Sequence, residues 1–352
     1  MDMKEKETMR IDALLEAARN MKLDRVLVCN QANIRAFTGV DSDNAVLSLE
    51  LDTRSGECAK VVIYTDFRYI PMVHRVAPSI VCRDINRLRV AGARIGYEVS
   101  IPHSRFLKLQ KMAPNAEFVD VSTAVAEIRA VKTPDEIVKI RAAEKLVCEI
   151  WEAASARFRA GMTERDMARI IQTMMIERGD GEAFPSIVCV GKNAAECHHE
   201  PDDTVWNGRD SVLVDIGVKL GGVCSDLTRN LVVKPSRLYR KVYSLVLDAN
   251  RAAIAAAKPG MTAKALDKVA RDVISKGGFG RCFGHSLGHG VGYEVHEAPA
   301  VSKKGKMKLK PGMLVTIEPG IYLEGNLGVR IEDLILITEN GCEVLSPADA
   351  TL

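Results

Sequence analysis

RAGMTERDMARII at 159–171 returns as KPGMTAKALDKVA at 258–270, with Gly161 and Gly260 separated by 99 residues. HHE at 198–200 and VHE at 295–297 follow at nearly that offset, 97 residues between Glu200 and Glu297. Each echo then runs into strand-like segments that carry acids, DIGVKLGGVCSD at 215–226 and EPGIYLEGNLGVRIED at 318–333. GMT alone is a short match, but the features recur in one order at one offset. The pattern predicts two similar halves facing each other, each presenting one hairpin to a shared centre.

A chain of 352 residues is long for one domain, and two is the natural expectation. MRIDALLEAARNM at 9–21 has helical apolar spacing, and DRVLVCN at 24–30 reads as a buried strand. AVLSLEL at 45–51 and KVVIYTD at 60–66 are further strands, separated by the turn-forming TRSGE, and RIGYEVS near 94–100 fits another. Residues 1–130 therefore read as an α/β N-terminal domain without a cluster of catalytic residue types. In VKTPDEIVKI, Thr133 can cap a helix, Pro134 fits its first turn and Glu136 completes a capping box. That helix is expected to run to about Arg159, with Gly161 as its stop. Residues 131–352, holding the repeat, form the second domain.

Composition excludes several functions. The chain has 49 basic and 46 acidic residues, a net charge of +3 and no long run of either sign, which disfavours nucleic-acid and anionic-membrane partners. No apolar run approaches the ~18 residues of a spanning helix. The charged start MDMKEKETMR lacks the apolar stretch of a signal peptide. Nine cysteines without a CxxC pair read as reduced thiols, so a cytoplasmic location is expected.

The acids of the two hairpins sit in apolar surroundings. Asp215 interrupts the strand SVLVDIG, and Asp226 lies eleven positions on, past a turn with Gly221 and Gly222. Glu318 in TIEPG and Glu332 in VRIED repeat the arrangement. A carboxylate among β-branched and apolar neighbours is costly unless its charge is compensated. One such acid is usually paired or at a strand end. Four on matching hairpins, with a histidine cluster between, would repel one another unless a cation sat among them. Four carboxylates with an imidazole form a hard, oxygen-rich donor set, favouring Mn²⁺ or Co²⁺ over thiolate-type Zn²⁺. They exceed what one catalytic ion needs and suit two ions, an arrangement used for hydrolysis.

HSLGHGVGYEVHE, TIEPGIY and GVRIED, with Asp215 and Asp226 eleven apart, resemble the pita-bread metallopeptidase family. The closer branch holds Xaa-Pro aminopeptidases and prolidases (Xaa-Pro dipeptidases), and methionine aminopeptidases and creatinases are more distant. The resemblance covers about 130–345 strongly. The first third is similar to the N-terminal domain of the proline-specific members and creatinases. It implies an α+β pita-bread (creatinase/aminopeptidase) catalytic domain with a pseudo-twofold repeat, and a homodimer.

Residue by residue, the resemblance implies five metal ligands: Asp215, Asp226, His289, Glu318 and Glu332. Asp226 and Glu332 would bridge two divalent ions, Mn²⁺ or Co²⁺ foremost and Zn²⁺ also admissible. Asp215 would complete one shell, and His289 with Glu318 the other. His198 and His296 match the family's substrate-side histidines, and His285 a further one lining the pocket. Glu318 would also move a proton toward the leaving nitrogen. Arg330 matches an arginine beside the last ligand, either touching substrate or holding a ligand carboxylate. Cys197 stands where many relatives have proline. His199 and His103 have no counterpart and are expected at the surface, and His74 is expected to be structural.

Two other classes remain open: a pita-bread binding module that has lost catalysis, and creatinase-type chemistry on a small molecule without metal. The five ligand-type residues argue against both, and the long N-terminal domain argues against a methionine aminopeptidase. The expected substrate is a peptide with proline second, whose tertiary amide has no N–H to grip. Many relatives carry an arginine soon after the HE-P histidine, where this chain has Ala300 in HEAPAVSKKG. Without that carboxylate clamp, cleavage of longer peptides by an Xaa-Pro aminopeptidase is favoured slightly over the alternative, an Xaa-Pro dipeptidase.

Overall fold

The computed structural model describes residues 3–52, 58–346 and 348–350. Contacts divide the chain into units of residues 1–129 and 130–352. In the first, β1 (Arg25–Val28), β2 (Ala45–Leu51), β3 (Cys58–Thr65), β4 (Val81–Asp84), β5 (Arg94–Tyr97) and β6 (Glu117–Asp120) form one mixed sheet in the order β4-β3-β2-β1-β5-β6. The outer pairs β3/β4 and β5/β6 are parallel, and the central β1/β2/β3 meander is antiparallel. Helices α1 (Met3–Asn20), α2 (Gln31–Thr38), α3 (Ile70–Val76), α4 (His103–Met112) and α5 (Ser122–Ala130) alternate with these strands. The strand expected over 94–100 stops at Tyr97, because Glu98 turns away to accept the backbone N–H groups of Cys29 and Asn30. The turn expected at 53–57 lies outside the described residues.

The second unit opens on α6 (Pro134–Ser155), whose Thr133–Glu136 capping box is formed. Ile140, Ala143, Val147, Ile150, Trp151 and Ala154 make its buried stripe at three- and four-residue spacing. The helix ends four residues before Arg159, because the following turn sends Phe158 into the same core as Trp151.

Two copies of one pattern follow. The first runs α7 (Glu164–Arg178), β7 (Ile187–Val190), β8 (Val212–Ile216), the small hairpin β9 (Lys219–Leu220) and β10 (Val223–Cys224), and β11 (Leu227–Leu231). After α8 (Arg237–Ala256), the second runs α9 (Ala263–Lys276), β12 (Gly288–Gly290), β13 (Glu297–Val301), β14 (Leu314–Ile317), the hairpin β15 (Gly320–Leu323) and β16 (Leu327–Arg330), β17 (Asp333–Ile337) and β18 (Cys342–Val344). Sheet order β11-β8-β7 in one copy corresponds to β17-β14-β12 in the other. One core packs α6 and α7 on the first sheet, and another packs α8 and α9 on the second.

The GMT echo has a structural basis. Gly161 (φ 94°) and Gly260 (φ 82°) both occupy the left-handed region that favours glycine. Their N–H groups donate to Trp206 O at 2.9 Å and Leu309 O at 2.8 Å, and Thr163 and Thr262 then cap α7 and α9. The sequence echo thus marks a pseudo-twofold repeat of turn, helix and sheet.

One close approach fixes how β12 meets β14. A Cβ on Gly288 would lie 2.0 Å from Thr316 O, whereas one on Gly341 would meet nothing within 4 Å. Gly288→Ala should therefore lose about 1–3 kcal/mol of stability from overpacking, and activity with it, since His289 follows directly. Gly341→Ala should stay close to wild type. Equal denaturant midpoints for the two variants would contradict this packing.

Candidate active site

The acids stand at the ends of the two strand pairs, Asp226 and Glu332 at matching positions and Glu318 two residues beyond the counterpart of Asp215. In the first half β8 and β11 run antiparallel with Asp215 opposite Thr228, and Asp226 sits just ahead of β11 rather than within the return strand. In the second, Ile317 pairs with Asp333, leaving Glu318 just after β14 and Glu332 just before β17. Each ladder sets its acids at or just past its end, and the intervening hairpin extends beyond them. Threonines on the same ladders support them: Thr228 donates to Glu332 Oε2 at 2.8 Å, and Thr316 to Glu318 Oε1 at 3.3 Å.

The charges are crowded and buried. Asp226 and Glu332 are 4% and 1% exposed. Burial first, and then the neighbouring carboxylates, push both acids well above the usual carboxylate range. Asp215 Oδ1 is buried with no hydrogen-bond partner. Oxygens of Asp226 and Glu332 and a nitrogen of His289 lie within 4.8 Å of one another. An orphaned carboxylate oxygen beside two acids that resist ionising is the donor set a divalent cation relieves, so these residues fit such an ion.

His289 is oriented for the same role. Its Nδ1 lies 3.1 Å from Gly290 O, which leaves Nε2 facing Glu318 Oε1 at 3.3 Å and Asp226 Oδ2 at 3.6 Å. Burial works to lower the His289 pKa, but the Glu318 hydrogen bond and charge, with Gly290 O and the Asp215 charge, together raise it. Burial likewise works to raise Glu318, and the His289 bond and charge hold it below its ordinary value. The His296 ring stands edge-on to His289 at 4.3 Å. Next to it, Glu297 forms a buried ion pair with Lys132 at 2.6 Å.

Arg330 is buried and holds a carboxylate, one of the two roles the sequence left open, while also lining the cavity. Nη2 donates to Asp215 Oδ2 at 2.6 Å, Nε to Thr228 Oγ1 at 3.1 Å and Nη1 to Tyr322 OH at 2.9 Å. The Tyr322 hydroxyl also lies 2.9 Å from His285 Nε2, so a continuous chain joins His285 at the wall to Asp215.

All nine residues singled out from the sequence line one cavity of about 410 Å³. Cys197 is on its wall, with burial raising its thiol pKa, which does not suit a thiolate ligand. His103 and His74 are both exposed, so His74 shows no buried structural role. His199 departs from its expected surface position: its side chain is 11% exposed and pairs with buried Glu164. Ala300 is exposed and outside the cavity wall. Tyr322 was in view within TIEPGIY but carries no charge to draw attention. Glu144, an acid inside the apolar stripe of α6, could have been flagged: it accepts from Asp226 N and Ser346 Oγ, and burial pushes its pKa up to about 7.

Comparison with known proteins is consistent across the chain. The family model for metallopeptidase family M24 matches residues 138–339, and that for the creatinase/prolidase N-terminal domain matches residues 10–131. The chain is similar to an Xaa-Pro dipeptidase of Pyrococcus furiosus, 32% identical over 356 residues, covering 97% of this chain and 99% of that protein. An Xaa-Pro dipeptidase structure from Bacillus anthracis matches with a TM-score of 0.90 at 29% identity, covering 98% and 99% of the two chains. An X-Pro aminopeptidase structure from Thermotoga maritima matches at 0.82 and 30% identity, covering 96% and 99%. With the duplicated fold and the acid-and-histidine cavity already on that pattern, the chain belongs to metallopeptidase family M24.

Proposed function

We propose that this chain is an Xaa-Pro dipeptidase that uses two divalent cations. The observation that carries the dipeptidase reading is the near end-to-end similarity to Xaa-Pro dipeptidases, from both sequence and structure. It displaces the aminopeptidase preference drawn from Ala300, which stands outside the cavity wall and says little about what the cavity holds. Asp215, Asp226, His289, Glu318 and Glu332 would hold the cations, with Asp226 and Glu332 shared. Mn²⁺ and Co²⁺ suit this oxygen-rich set best. Such ions supply Lewis-acid polarisation of the scissile carbonyl and an acidified water.

The chain's own groups do the rest. His198 and His296 donate hydrogen bonds to the substrate carbonyl as negative charge builds on it. Glu318 carries a proton to the proline nitrogen, which must be protonated to leave. Arg330 keeps Asp215 fixed, through the 2.6 Å contact, while charge shifts around it. Phe184, Pro185 and Ile187 give the cavity an apolar wall against which a proline ring can pack. A homodimer belongs to the same proposal on the family resemblance, and a cytoplasmic location on the nine cysteines that read as reduced thiols.

Chelation should abolish hydrolysis of Ala-Pro, and Mn²⁺ or Co²⁺ should restore it. Asp226→Asn should lower kcat roughly a thousandfold or more, as expected for a main electrostatic element, while His103→Ala stays near wild type. His296→Ala should lower kcat with metal content unchanged. Active protein free of transition metal on elemental analysis would sink the two-cation proposal.

Chain length tests the substrate class separately. Ala-Pro should be cleaved with kcat/KM at least about tenfold above Ala-Pro-Ala, the size of one charge-assisted contact to the dipeptide carboxylate. Equal or faster cleavage of the tripeptide would return the assignment to an aminopeptidase.

A further inference from the structure

Glu164 is a wholly buried carboxylate at the first turn of α7, outside the cavity wall. Its two oxygens take four N–H donors. Oε1 accepts from Val190 N at 2.6 Å and Asn193 Nδ2 at 2.9 Å, and Oε2 pairs with His199 Nε2 at 2.8 Å and accepts from Asp202 N at 3.0 Å. These donors come from the end of β7, the turn after it and the loop to residue 202. Residues Cys197 to Pro201, His199 included, all line the cavity wall. One carboxylate thus ties down both ends of the segment that presents His198.

The repeat shows that the turn itself does not require this acid. Ala263 holds the equivalent place in the second half, one residue after the capping threonine. Its N–H donates to Met307 O at 2.9 Å, as Glu164 N–H donates to Thr204 O at 3.1 Å. The same turn closes with a methyl side chain, so the buried charge in the first half serves something that half alone provides. Oxygens of Glu164 and Asp202 and a nitrogen of His199 also lie within 4.8 Å of one another. With two donors on each Glu164 oxygen, however, the charge is already compensated and calls for no cation.

We propose that Glu164 and His199 are positioning residues that hold His198 at the cavity. The inference rests on the substrate role given to His198 above. His199 borders the cavity too, but its Nε2 is turned to Glu164, so its effect reaches catalysis through the backbone of the adjacent residue.

The test is a double-mutant cycle on the metal-loaded enzyme with Ala-Pro, with metal content and Tm measured for each variant. His198→Ala and His199→Ala should each lower kcat/KM by roughly tenfold to a hundredfold, the loss expected from a misplaced contact group. The double variant should be no worse than His198→Ala within about twofold, because the second change removes support for a group already gone. His199→Gln, which keeps a donor able to reach Glu164, should recover most of the loss. If His199→Ala fails to fold, His199→Asn, polar but too short to reach Glu164, carries the same cycle. Multiplying losses in the double variant, or a wild-type rate for His199→Ala, overturns the positioning role while leaving the substrate role of His198 intact. A wild-type rate for His198→Ala instead overturns both.

Discussion

Four carboxylates converge on one buried centre, and their mutual repulsion governs what surrounds them. Asp226 and Glu332 come from strand ends in opposite halves of the repeat and face each other across the seam. The protein meets the load with fixed donors: Thr228 on Glu332, Thr316 on Glu318 and Arg330 on Asp215. A second layer holds the seam itself. Arg229 pairs with Asp333 at 2.7 Å, and Asn250 of α8 reaches Asp333 and Ile317 O, both at 3.0 Å. The bonds of Thr228, Arg330 and Arg229 run from one half to the other, so the halves hold their acids jointly, while Thr316 and Asn250 brace the second half from within.

The two halves anchor their histidine-bearing loops by different chemistry. In the second half Asp267, buried on α9, pairs with Arg271 at 2.7 Å and accepts from Leu287 N at 3.1 Å. Arg271 in turn donates to Phe283 O and His285 O, both at 2.8 Å, fixing the approach to His289. In the first half Glu164 does comparable work for the loop around His198. Duplication set the frame, and separate buried acids then tied each loop to its helix.

Much of this was legible in the sequence because the relevant signals are local or periodic. The Thr133–Glu136 box, the GMT turns and the acids embedded in apolar strands each follow from short-range chemistry. The nine residues singled out share one cavity, and most of them stand out in sequence among apolar or glycine neighbours. What escaped notice were partners whose importance is purely tertiary. Tyr322 matters through Arg330 and His285, far apart in sequence. In sequence Glu164 is no different from any helix-start acid, and only packing shows it wholly buried. His199 gave no sign of its partner 35 residues upstream. The end of α6 was misjudged because Phe158 is drawn into the core, a pull that helix propensity does not report.

The ladders and their inserted hairpins divide the labour of the domain. Cross-strand register, Asp215 opposite Thr228 and Ile317 opposite Asp333, sets where the acids stand. The hairpins between them differ in size, two-residue strands in one half and four-residue strands in the other, yet the acids still converge. Insertions at the hairpin tips can therefore accumulate without disturbing the reactive centre. Such a scaffold is free to vary at tips that lie off the cavity wall, while the strand ends beneath stay fixed.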